Sequence, residues 1–145
     1  CKNTNIMFNT SISLDTLNSW GHGNMIDVLG IEFIDVQPDF IKAKMPVDSR
    51  TKQPYGLLHG GASVVLAETL GSIAASLAVA DPTTHRGVGV EINANHMKSV
   101  KEGFVIGTCT ALKIGKTLHV YDIKIHDESG NLVCVSRLTV AILSY

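Results

Sequence analysis

Residues 57–80, LLHGGASVVLAETLGSIAASLAVA, are of helix length, apolar on nearly every side, and carry one charged residue, Glu68. A helix that is hydrophobic all round has to be enclosed by something apolar. Its length suits a bilayer, but Gly60, Gly61, Ser63, Thr69, Gly71, Ser72 and Ser76 dilute it, and no basic cluster or aromatic belt brackets it. The expected enclosure is therefore protein and not membrane. The stretch predicts a core helix over about 60–80, ended by Asp81-Pro82, since proline cannot continue the ladder.

What remains of the chain has to build the wrapping. Residues 31–47, IEFIDVQPDFIKAKMPV, read as two strands turning at Pro38-Asp39. Four more strands are expected near 87–98, 103–113, 117–126 and 132–143. Between them lie Lys101-Glu102-Gly103, Gly115-Lys116 and the DESGN turn at 127–131. In the third of these four, His119, Tyr121, Ile123 and Ile125 share one face while Asp122 and Lys124 take the other. Residues 14–29 predict short helical pieces broken at Gly21 and Gly23, the first capped by Ser13 or Asp15. The order β-β-α-β-β-β-β with short connections implies an antiparallel sheet, hence an α+β fold in which the sheet curls around one long helix. With 145 residues the chain suits one domain, 14–145, preceded by a lead-in and extension at 1–13.

Composition excludes several classes. A net charge of −1 attracts neither nucleic acid nor an anionic membrane. The six histidines and three cysteines have no zinc spacing, so no metal site is expected. Cys109 and Cys134 lie in apolar runs as small hydrophobes. Without a disulfide framework, a reducing cytoplasm fits. Cys1 is expected to belong to an upstream extension over 1–6, with Met7 the natural start.

Glu68 is the residue that needs a reason. Its helical neighbours Val64, Val65, Gly71 and Ser72 are apolar or small. A carboxylate there loses hydration, which raises its basicity. It either works as a base or nucleophile, opens on a solvent gap, or pairs with a buried cation. His59-Gly60-Gly61 stands where the helix begins, and there backbone N–H groups and the positive end of the dipole face outward. Glycine admits a close ligand, so Gly60 N–H is a candidate oxyanion donor. By itself, His59 reads as a capping or satisfied core histidine. His59 and Glu68 are nine residues apart, about 13–14 Å along a helix at ~1.5 Å per residue, and project to opposite sides. One chain cannot easily join them. Two chains with antiparallel central helices can, which predicts a dimer with two composite sites if the groups act together.

The stretch QPYGLLHGGASVVLAET resembles the signature of hotdog-fold acyl-CoA thioesterases, and EINANHMKSVKEG and CVSRLTVAIL extend the likeness over most of 14–143. It is most similar to the bacterial branch with 1,4-dihydroxy-2-naphthoyl-CoA and enterobactin proofreading thioesterases. The resemblance implies a hotdog fold, dimers with a continuous sheet, and homotetramers. It implies Glu68 as catalytic carboxylate, Gln53 as orienting the acyl group or water, His59 beside the thioester and Gly60 as oxyanion donor. Ser72 matches a position placing water or acyl group. Gly89, the run His96, Met97, Lys98 and Ser99, and the run Lys113, Ile114, Gly115, Lys116, Thr117 and Leu118 match segments contacting the pantetheine arm and nucleotide. The implied substrate is an aromatic acyl-CoA, with an acyl carrier protein as alternative donor. No cofactor is implied, because coenzyme A is part of the substrate.

Lys98, Lys101, Lys113 and Lys116 near strand ends suit phosphates as mobile cations, or serve as solvated lysines that deter edge pairing. Arg137, mid-strand, is expected to pair structurally. Two departures from the family pattern, Tyr55 in place of a phenylalanine and a slightly long DPTTHRG connection at 81–87, bear on substrate choice. Ser63 in GGASV does not form a nucleophile elbow, so Ser–His–Asp catalysis is not expected. The competing readings are a carrier-protein dehydratase on the same fold, or a non-catalytic CoA-ester binding module.

Overall fold

A computed structural model describes residues 8–145. The expectations for Cys1 and Met7 lie outside the described residues. Two short helices, α1 (Leu14–Ser19) and α2 (Met25–Val28), precede strands β1 (Glu32–Val36) and β2 (Ile41–Pro46). Ser13 caps α1, accepting from Thr16 N–H. The long helix α3 (Gly60–Ala78) follows, then β3 (His85–His96), β4 (Phe104–Ile114), β5 (Leu118–Asp127) and β6 (Leu132–Ser144).

All six strands join one sheet in the order β1-β2-β4-β5-β6-β3, and every neighbouring pair is antiparallel. The sheet wraps α3, which touches β2, β3, β4, β5 and β6. This is the hotdog arrangement. Leu66, Ala67, Leu70, Ala74 and Ala75 of α3 are fully buried in one core with Ile41, Met45, Val105, Ile123, Ile125 and Leu138. Burying each large aliphatic side chain stabilises the fold by about 1.5–3 kcal/mol. The expected phase of β5 holds: His119, Tyr121, Ile123 and Ile125 are all buried. Cys109 and Cys134 are free and buried, and desolvation pushes both thiols up, away from reactivity. Phe8 packs on Tyr121 with ring centroids 6.3 Å apart, so the core already draws on residues before α1.

Two boundaries differ from the expectation. Helix α3 stops at Ala78, with Val79 already extended, rather than at 80. Asp81 forms its own turn before proline acts: Oδ1 accepts from Thr83 N–H and hydroxyl, and its carbonyl accepts from His85 N–H. That turn delivers the chain into β3 at His85, two residues earlier than the expected 87. A second finding lies in the topology. After α3 the chain crosses the sheet, so β3 becomes the far edge and β2 pairs with β4 instead.

Candidate active site

The start of α3 forms an amide-lined corner. His59 is its N-cap, and its Nδ1 accepts from Gly61 N–H at 2.7 Å. Its own N–H donates to the Thr51 carbonyl. The capping role read for an isolated His59 is thus the one it fills in the protomer, with its ring exposed. Gly60 N–H has no acceptor among the described residues and borders a cavity of about 330 Å³. Gln53, Leu57, Leu58, Ser63, His96, Met97, Lys98, Ser99 and Val133 line the rest. The Gln53 side-chain oxygen accepts from Tyr55 N–H, which fixes the loop over the corner. His96 lies close over Gly60: a Cβ on this glycine would stand 2.7 Å from His96 Nε2. Nothing in the sequence singles out Val133; the sequence raises Ser63 only as a nucleophile, and the signal that places it at the corner is its position one turn beyond His59.

Glu68 belongs to a different place. It is half-buried on α3, accepts from the Ser72 hydroxyl at 3.1 Å and faces Gly89 of β3. Among the described residues it makes no ion pair, so the buried-cation alternative is not realised in the protomer. It does not line the corner cavity. The structure thus brings Glu68, Ser72 and Gly89 together, and Gln53, Gly60, His96, Met97, Lys98 and Ser99 together, but not the two groups with each other.

A third group lies at the other end of α3. Ile114, Gly115 and Lys116 line a cavity of about 250 Å³ with residues 78–81, His85, His119 and Ile142. Lys113, Thr117 and Leu118 flank them on the same hairpin. His119 is buried and bonds through Nδ1 to the Tyr121 hydroxyl at 2.9 Å. Burial lowers its pKa, opposed in part by a backbone hydrogen bond at Gly115.

Two cations sit differently from the sequence reading. Lys98 has a partner the sequence reading does not name: its Nζ lies 2.6 Å from Asp127 Oδ2, with about half of its side chain exposed. Asp127 also accepts from Ser129 N–H and Asn131 N–H, and the Lys98 bond is the main reason its carboxyl sits well below the ordinary range. Arg137 is exposed and joins no ion pair among the described residues. Its cross-strand neighbour Asp122 takes Lys124 instead, at 3.2 Å.

A helix-start amide and a mid-helix carboxylate on a hotdog scaffold suit attack on a thioester carbonyl. Residues 55–134 match the family model described as "Thioesterase superfamily". The chain is 51% identical over 138 residues to the 1,4-dihydroxy-2-naphthoyl-CoA hydrolase of Escherichia coli (strain K12), covering 95% of this chain and all of that one. It is 45% identical over 135 residues to a proofreading thioesterase of Cronobacter turicensis, covering 91% and 95%. A crystal structure of a mutant thioesterase from Pseudomonas aeruginosa superposes with a TM-score of 0.93 at 42% identity, covering 96% and 99%. The chain belongs to the thioesterase superfamily, and its chemistry is thioester hydrolysis.

Proposed function

We propose that this enzyme hydrolyses aromatic acyl-CoA thioesters at composite sites formed between two protomers. The observation that carries the reading is the separation, within one protomer, of the Gly60 corner from Glu68. A two-fold axis between antiparallel α3 helices supplies each corner with the carboxylate of the other chain. The thioester carbonyl oxygen accepts from Gly60 N–H, where the helix dipole also favours developing negative charge. The partner subunit's Glu68 then acts in one of two ways. It attacks the carbonyl carbon, expelling CoA thiolate and forming an anhydride that water cleaves, or it removes a proton from attacking water. Solvent ¹⁸O enters Glu68 in a single turnover when water cleaves the anhydride at the Glu68 carbonyl. Chemical trapping of the acylated Glu68 identifies the anhydride route when water attacks the acyl carbonyl instead; neither signal arises on the general-base route.

Gln53 and Ser72 orient the acyl group and water in this reading, and exposed Lys101, Lys113 and Lys116 meet the CoA phosphates. The relative that hydrolyses 1,4-dihydroxy-2-naphthoyl-CoA favours that ester or benzoyl-CoA as substrate. The proofreading relatives support an acyl carrier protein as the alternative donor. The working assembly is a homodimer, paired further into a homotetramer, and the buried free thiols suit a reducing cytoplasm.

Glu68→Gln keeps shape and removes the charge. It should lower kcat by ~10²–10⁴, the range for a positioned acid or base. A variant within threefold of wild type on the best substrate of a CoA and carrier-protein panel rejects the mechanism.

A further inference from the structure

Strand β3 changes face as it passes Glu68. Up to Gly89 its odd-numbered residues point at the helix: a Cβ on Gly87 would stand 2.8 Å from Ala75 Cβ, and one on Gly89 would stand 2.5 Å from Glu68 Oε1. Beyond this point the half-buried residues are the even ones, Ile92 and Ala94. The switch is a bulge. Gly89 pairs with Val140 and Glu91 with Thr139, which leaves Val90 as the extra residue. An unbulged strand would turn Glu91 inward, because a one-residue slip exchanges the faces. The bulge keeps this second carboxylate off the helix-facing side at the level of the first.

Gly89 is not required by its backbone. Its φ lies outside the positive region that holds Gly23, Gly30, Gly56, Gly103 and Gly130, so alanine can adopt the same conformation. What glycine provides is room, and the Glu68 carboxylate occupies it. With the Ser72 hydroxyl bonded to Oε1 from one side, the bare Gly89 Cα bounds the carboxylate from the other.

We infer that Gly89, at the β3 bulge, is a positioning residue for the reaction: the missing side chain sets where the Glu68 carboxylate stands. This rests on the reading of Glu68 as the reacting carboxylate. It gives Gly89 a task apart from the pantetheine contact that resemblance implies. An added methyl meets the end of a flexible side chain, so the fold accommodates it while the carboxylate shifts. A displacement of about 1 Å at a reacting group reduces rate by up to ~10²-fold.

The test is a double-mutant cycle with Gly89→Ala and Glu68→Gln, read as kcat and KM on a benzoyl-CoA substrate. Gly89→Ala should lower kcat about 10- to 100-fold with KM within about threefold. In that background Glu68→Gln should cost much less than it does in wild type. Unchanged kcat in a folded Gly89→Ala enzyme overturns the inference, as does a full, multiplicative loss in the double variant. A Gly89→Ala chain that fails to fold also overturns the inference, because the missing side chain would then serve packing and not the placement of the carboxylate. A Glu68→Gln enzyme that keeps wild-type activity refutes the underlying reading instead, which separates the two failures.

Discussion

The two edges of the sheet are treated in opposite ways. Strand β1 is five residues long, bulged between Phe33 and Asp35, and covered. Asn18 of α1 lies against it like a fragment of another strand: Nδ2 donates to the Phe33 carbonyl at 3.0 Å and Oδ1 accepts from Phe33 N–H at 2.7 Å. Strand β3 is twelve residues long and mostly exposed, and it presents Val88 and Val90 at 41% and 60% exposure. A long apolar edge invites another strand, and proteins ordinarily blunt such edges. Here one edge is closed by a side chain and the other left open beside Glu68. The difference marks β3 as the edge that the proposed dimer would use, since the composite sites of that proposal need a strand beside Glu68 to meet its partner.

Three experiments bear on that contrast, beginning with the largest effect. Placing like charges on the open edge, Val88→Lys with Val90→Lys, should give monomers by sedimentation with the far-UV spectrum retained. Activity should fall by at least ~10²-fold, because each corner then loses its carboxylate. A monomer that cleaves thioesters at full rate breaks the comparison. Next, Asn18→Ala uncovers the closed edge and leaves the Phe33 amide and carbonyl unpaired. It should cost about 1–3 kcal/mol in denaturant unfolding, while kcat stays near wild type. An equal loss of activity and stability would mean that β1 also belongs to the site.

The smallest effect concerns an interior strand and serves as a control for both edges. Burial holds the His119 pKa below its ordinary value of 6.5, so the unfolded chain binds more protons as pH falls below that value. Stability is therefore full above 6.5 and declines as pH drops towards the lower folded value. The thermal midpoint should fall between pH 7.5 and 5.5, and the decline should be shallower in His119→Gln. The edge variants should keep the wild-type slope, since Asn18, Val88 and Val90 are not among the residues lining the His119 cavity.

Much of the architecture was legible because it is written in local periods. The apolar run around Leu66 and Leu70 announced a buried helix, and the alternation from His119 to Ile125 announced the inward face of β5. Ser13 and Asp15 both announced a cap at the start of α1, and Ser13 fills it. The candidate site was legible as residues, Glu68 and the His59-Gly60 corner, and their helical spacing already said that one protomer holds them apart. The errors came where partners are remote. The pairing of Lys98 was not legible because Asp127, twenty-nine positions later, is invisible from its neighbourhood. Arg137 looked paired because it sits mid-strand, yet it is exposed, and its cross-strand neighbour Asp122 takes Lys124 instead.

The amino-acid order alone determined the elements, the enclosed helix and the chemical groups that face its start and its middle, since each depends on neighbours within a turn or a strand. The tertiary structure alone decided which strand lies at which edge, which edge Asn18 closes, and where β3 bulges so that Glu91 turns away from Glu68. Those outcomes depend on pairing between segments far apart in the chain, and no local period encodes them.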